Sequence, residues 1–154
     1  MRPELLYQLM DQALAQARAA PAHGDVPVGA VVARIDDGSI LAARHNEREV
    51  AGDPTAHAEV LALRDAANAV GTWRLEHCAL VATLEPCPMC AGAALAARLD
   101  LVAFGAPDPK AGALGSLYNL GADPRLNHEL AVVAGVREDE CSRLLVDFFT
   151  SRRR

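Results

Sequence analysis

The sequence predicts an α/β sandwich, a mostly buried sheet with helices on both faces. Three observations point to it. Beyond an N-terminal helical pattern and one hairpin, apolar strand-like runs alternate with helical patterns along the chain. Those runs are apolar throughout, as in a sheet covered on both sides. Of 154 residues, 51% are hydrophobic, enough to fill the core of a single domain spanning residues 1–154.

The elements follow in order. Residues 3–20 predict a helix, with Leu5, Leu6, Leu9, Ala13, Leu14 and Ala17 near helical spacing. Residues 21–25 read as a loop. Residues 26–35 are apolar and β-branched and predict a strand. Asp36-Asp37-Gly38-Ser39 is a turn with a strong Asp-Gly hairpin signal, and residues 40–44 return. A polar loop carries Asn46, Glu47 and Arg48 to Pro54. Asp53-Pro54 predicts an N-cap with proline at the first helical position, opening a helix to about Val70 before Gly71. Residues 78–83 predict a buried strand, 87–98 an alanine-rich helix and 101–104 another strand. Residues 105–128 are irregular and rich in Gly and Pro. Residues 130–134 predict a weaker strand and 138–150 a final helix, before Arg152, Arg153 and Arg154.

With 15 basic and 20 acidic residues the net charge is −5. This excludes diffuse, charge-driven binding to nucleic acid or to an anionic membrane. No apolar run approaches the roughly 20 residues needed to cross a bilayer. The N-terminus shows no signal-peptide core, so a cytoplasmic protein is expected. In a reducing compartment Cys78, Cys87, Cys90 and Cys141 are not expected to form a disulfide framework. Metal binding, catalysis or burial is left.

Ligand sites in such sheets lie at strand-to-helix junctions, and two junctions hold the informative residues. Thr55-Ala56-His57-Ala58-Glu59 opens one helix; Glu85-Pro86-Cys87-Pro88-Met89-Cys90 opens another directly after a strand. Cys87 and Cys90, three apart, share a helix face, and a helix N-terminus favours their thiolates. Two thiolates and one imidazole suit zinc. His57, Cys87 and Cys90 supply three ligands and leave one tetrahedral position open, the pattern of a catalytic site. Glu59, two residues beyond His57, can lie near the metal without ligating it and shuttle protons. Zinc with two thiolates is formally neutral and acidifies water less than zinc on three imidazoles, so a base is needed. A C-x-x-C pair alone also suits a structural or redox role. H-x-E followed by P-C-x-x-C is the signature of zinc-dependent deaminases.

The chain resembles the bacterial tRNA adenosine deaminases, of the cytidine/deoxycytidylate deaminase-like zinc hydrolases. The resemblance runs from the first helix to Phe148-Phe149. It rests on Val26-Pro27-Val28-Gly29-Ala30-Val31, Asn46, the 53–59 stretch, Thr83-Leu84-Glu85-Pro86-Cys87-Pro88-Met89-Cys90 and Phe104-Gly105-Ala106. Asp108, Lys110, Gly112, Gly115-Ser116-Leu117 and Asn127-His128 continue it. It implies a three-layer αβα sandwich around a five-stranded mixed sheet, cytidine-deaminase-like, active as a homodimer with one zinc ion per subunit. The implied reaction is hydrolytic deamination of adenosine to inosine at the wobble position of a tRNA anticodon. His57, Cys87 and Cys90 would hold zinc, and Glu59 would be the catalytic proton shuttle. Asn46 would hydrogen-bond the flipped base, Val28 would wall it, and the Ala58 amide would sit near the attacked carbon. Pro86, Asp108, Asn127 and Phe149 complete the implied substrate-binding set, Phe149 through stacking on a base. Two departures stand out: Pro107 where some relatives carry a basic residue, and Asp25 in place of glutamate.

Two other readings stay open at this point. A free nucleobase or nucleotide deaminase of the guanine or cytosine type would share the zinc core and differ in the pocket lid. A non-catalytic, zinc-stabilised RNA-binding module would need a fourth protein ligand. The 105–128 segment and the arginine-ended helix favour tRNA. Cys78 and Cys141 are expected in the core, and His23, His45 and His77 at the surface or in caps. The acidic balance predicts a local footprint of Lys110, Arg125, Arg152, Arg153 and Arg154 around one pocket mouth.

Overall fold

The computed structural model describes residues 1–152. Its elements are α1 (Pro3–Ala19), β1 (Gly29–Arg34), β2 (Ile40–His45), α2 (Arg48–Ala51), α3 (Ala58–Val70), β3 (Cys78–Leu84), α4 (Pro88–Ala96), β4 (Leu101–Ala106), β5 (Ala131–Val133) and α5 (Glu138–Arg152). Short 3-10 turns occupy Ala20–His23 and Leu120–Ala122. The strands form a five-stranded sheet in the order β2-β1-β3-β4-β5. β1 pairs antiparallel with β2 and β3, whereas β4 runs parallel to β3 and β5 parallel to β4. This is the mixed sheet expected.

Strand alternation divides the core into two layers. Ala30, Val32, Leu80, Ala82, Val102 and Phe104 face one side, with Ala62, Leu63 and Ala66 of α3 and Ala91, Ala94 and Leu95 of α4. Val31, Ala33, Ala79, Val81, Leu101 and Ala103 face the other, against Leu6, Leu9, Met10, Ala13 and Leu14 of α1 and Cys141 of α5. The abundance of alanine brings helix and sheet backbones close. Gly29 is the extreme case: a Cβ there would run into the Ala13 carbonyl and the Ala17 amide of α1. Cys78 and Cys141 are buried, as expected, and burial pushes the Cys141 thiol up to about 12.

Three expectations change. The hairpin loop is longer than its Asp-Gly pair suggests: the Arg34 amide donates to the Ser39 carbonyl at 3.0 Å and the Gly38 amide to the Arg34 carbonyl at 2.9 Å. Pairing slips between Val32 and Ala33 to accommodate it. The third helix begins at Ala58, not after Asp53. Asp53 instead closes an Asx turn, its Oδ1 accepting from the Thr55 amide and hydroxyl, both at 2.8 Å. Within the expected polar loop a helical turn, α2, forms. The Asp25 carboxylate accepts from its Glu49 amide at 3.0 Å and its Val50 amide at 3.4 Å.

Candidate metal centre and substrate cavity

The site lies where α3 and α4 begin. His57 and Cys87 are the N-cap residues of these helices, both with extended backbone (φ −73° and ψ 147° for His57; φ −73° and ψ 174° for Cys87). That conformation turns the imidazole and the thiol toward each other. Cys90 follows one turn into α4 and is fully buried. His57 Nδ1 is 3.7 Å from Cys87 Sγ and 3.5 Å from Cys90 Sγ, and the three ligand atoms lie within 4.8 Å of one another. Among the described residues no other group of three His, Cys, Asp or Glu side chains converges this closely.

The donor chemistry tests the fit for a metal. Hydrogen bonding from Cys90, offset in part by burial and assisted by His57, pulls the Cys87 thiol down to about 3. The bond to Cys87, then burial, holds the Cys90 thiol up. The two sulfurs are thus coupled through the Cys90 thiol proton. A soft divalent cation is what would displace that proton and satisfy both thiolates together with the imidazole. The bond to Cys87 also raises the His57 pKa. The set fits Zn2+ with three protein ligands.

Glu59 projects from the first turn of α3 and is 4% exposed. Its Oε1 has no hydrogen-bond partner among the described residues. A buried carboxylate oxygen left unpaired is costly, so its place beside the ligands calls for a chemical reason. Burial raises its pKa above the ordinary carboxylate value, against the opposing pull of its own amide and of His57.

A cavity of about 210 Å³ opens here. Of the expected site residues, Val28, Asn46, His57, Glu59, Cys87 and Asp108 line it. Ala58 is buried, its amide donating to Asn46 Oδ1 at 2.9 Å, while Asn46 Nδ2 donates to the Val26 carbonyl at 3.2 Å. Pro86 is also buried; its carbonyl accepts from the Ala113 amide at 2.9 Å. Phe149 lines a second cavity of about 410 Å³, together with Lys110, Leu145, Val146 and Thr150. Asn127 is exposed and lines neither cavity.

The basic residues separate likewise. Lys110 borders the second cavity. Arg125 is ion-paired with Asp123 at 2.7 Å. Arg152 lies 4.4 Å over the Phe148 ring and donates to the Gly24 carbonyl at 3.1 Å. Arg153 and Arg154 lie outside the described residues. Sequence reading missed Arg48, which lines the first cavity from α2. It also missed a half-buried hydrogen-bond chain: Gln16 Oε1 to His45 Nδ1 (3.0 Å), His45 Nε2 to His23 Nε2 (3.1 Å), and His23 Nδ1 to Asp25 Oδ2 (2.7 Å). Neither histidine is merely a surface group. Glu85 is a further buried carboxylate, 2% exposed. Burial alone would push its pKa up; hydrogen bonds from Ser116, Asp108 and Leu114 outweigh this and hold it below the ordinary value.

Comparison with known proteins agrees with this geometry. Residues 3–106 match the cytidine and deoxycytidylate deaminase zinc-binding region. The chain is 48% identical to the tRNA-specific adenosine deaminase of Bacillus subtilis (strain 168), over all of this chain and 93% of that protein. A solved structure from work on A-to-I editing by tRNA:A34 deaminases at the wobble position superposes with a TM-score of 0.85 and 39% identity, covering 90% of this chain and 99% of that one. The guanine deaminase of Nitrosomonas europaea superposes with a TM-score of 0.79 at 28% identity, covering 94% of this chain and 84% of that one. With a zinc-binding match over most of its length and near-half identity from end to end, the chain belongs to the cytidine and deoxycytidylate deaminase zinc-binding family, among the tRNA-specific adenosine deaminases.

Proposed function

We propose that this chain is a single zinc-dependent deaminase domain, residues 1–154, that converts adenosine to inosine at the wobble position of tRNA anticodons. The observation that carries the chemistry is the buried, unpaired Glu59 Oε1 beside the His57, Cys87 and Cys90 cluster. Support for the substrate is the 48% identity, over the whole of this chain, to a tRNA-specific adenosine deaminase. The protein works as a homodimer in the cytoplasm. In keeping with a partner chain, α4 turns Met89, Gly92 and Ala96 away from its buried residues. No helix among the described residues is long and apolar enough to cross a membrane.

Bound zinc, held by His57, Cys87 and Cys90, supplies Lewis-acid activation of water at neutral pH. Glu59 does the proton work. Its carboxylate takes a proton from the attacking water and places it on ring N1 of adenine. The water oxygen bonds to C6; Glu59 then takes the second proton from that oxygen and passes it to the exocyclic nitrogen as the C6–N bond breaks and the C6=O bond forms, giving inosine and ammonia. Val28 walls the flipped base, and Asn46 holds the Ala58 amide and the Val26 carbonyl in register around it. Asp108 and Phe149 meet the flanking nucleotides, with Lys110 and Arg48 near the phosphates.

Inosine mapping on a total tRNA pool treated with the zinc-loaded protein tests this reading, with free adenosine, guanine and cytidine nucleotides in parallel. Inosine at the wobble position is the expected result. Ammonia released from guanine with no inosine in tRNA would make the chain a free-base deaminase.

A further inference from the structure

The mechanism uses Glu59 and leaves another buried carboxylate, Glu85, without a role. Glu85 follows the last residue of β3, two positions before Cys87. Its two oxygens receive donors from one loop only. Oε1 accepts from the Asp108 amide at 3.0 Å and from the Ser116 hydroxyl; Oε2 accepts from the Leu114 and Ser116 amides, each at 3.1 Å. Four donors occupy the acceptor capacity of the group, leaving it nothing to offer a reacting proton. Gly112 lies over the same carboxylate, where a Cβ would collide with it. The loop held this way divides the two cavities: Asp108 and Ala111 face the first, Lys110 the second.

We propose that Glu85 is a positioning residue for substrate: its carboxylate pins the 108–116 loop as the wall that seats the target nucleotide. This rests on reading the first cavity as the deamination site. The link is short: the residues between β3 and Cys87 set both the metal ligand and the substrate wall, so the metal end and the wall that seats the base keep a fixed separation.

The test uses zinc-loaded Glu85→Gln, Ser116→Ala and Gly112→Ala, with steady-state kinetics on tRNA, zinc content per chain and amide hydrogen exchange. Glutamine sets an NH2 against N–H donors. Glu85→Gln is expected to raise KM about tenfold while kcat falls less than about threefold, and Ser116→Ala to raise KM about threefold. The two effects are non-additive in the double variant. Exchange at Asp108, Leu114 and Ser116 quickens while β3 amides and zinc content stay as in the parent. A fall in kcat at constant KM would overturn the proposal, as would loss of zinc or an unchanged KM in all three variants. Should Glu85→Gln not fold, Ser116→Ala and Gly112→Ala decide by the same outcomes. Failure of the parent protein to make inosine counts against the deaminase reading alone; the exchange of the three loop amides still reads the latch, and amides unprotected in the parent refute it.

Discussion

The metal end of the cavity and its substrate rim are built on different principles. At the metal end, His57, Cys87 and Cys90 sit at the starts of two helices that each bury one face, with Glu59 two residues beyond His57. Each side chain is placed by its own helix start. At the rim, Asp108, Ala111 and Arg48 lie on short, irregular segments. Those segments are held from a distance, by Glu85 for the 108–116 loop and Asp25 for α2. Chemistry here is anchored locally and recognition remotely, so damage to one should leave the other measurable.

The largest effects are expected at the metal end. Cys90→Ala should lose zinc and all activity and lower the thermal midpoint, read by metal analysis and calorimetry. Glu59→Ala should keep zinc and tRNA binding while kcat drops about 10³-fold or more. An active Glu59→Ala protein would dissolve the contrast. Next comes the joint between the two regions. Asn46→Ala leaves the buried Ala58 amide unpaired and should cost about 1–3 kcal/mol in urea unfolding, with activity falling alongside. At the rim, Arg48→Ala should raise KM a few-fold and make the salt dependence of tRNA binding shallower by about one unit of slope, leaving kcat near parental. A steep parental slope would show a phosphate footprint wider than the cavity mouth.

The smallest expected effect is pH-linked. Burial, chiefly, holds the His45 imidazole below its ordinary 6.5; His23 and Arg44 act with it, and Glu47 and Asp25 against it. The folded chain thus favours neutral His45, and the unfolded chain takes up a proton first as pH falls. The stability His45 contributes is complete above about 6.5 and drains away across the window below it. Urea midpoints at pH about 7.5 and about 5.5 should differ in the parent and differ less in His45→Gln.

What could be read in the sequence follows the same division. The zinc ligands and Glu59 were legible because H-x-E and C-x-x-C are local spacings on helix starts, and the continuously apolar runs predicted a sheet covered on both faces. The start of α3 was misplaced because an Asx turn at Asp53 and a helix N-cap begin with the same residue types. α2, with Arg48, was hidden because the carboxylate that caps it is 24 residues away. Glu85 was quoted only as part of a motif. Its partners lie 23 to 31 residues further on, a separation that no window of local pattern spans. The histidine chain escaped notice for the same reason, Gln16 and His45 being 29 apart.

β3 is the seam of the sheet, antiparallel to β1 on one side and parallel to β4 on the other. His57 arrives from the connection that enters this strand, Cys87 and Cys90 from the one that leaves it. The hairpin of β1 and β2 needs only nearby partners, whereas each β3 pairing waits on the closure of a long connection. Bringing the three ligands together therefore depends on long-range closure, which the hairpin does not need. The complete centre exists only where α3 and α4 have both docked beside β3, so metal affinity reads out the finished fold rather than any one local pairing.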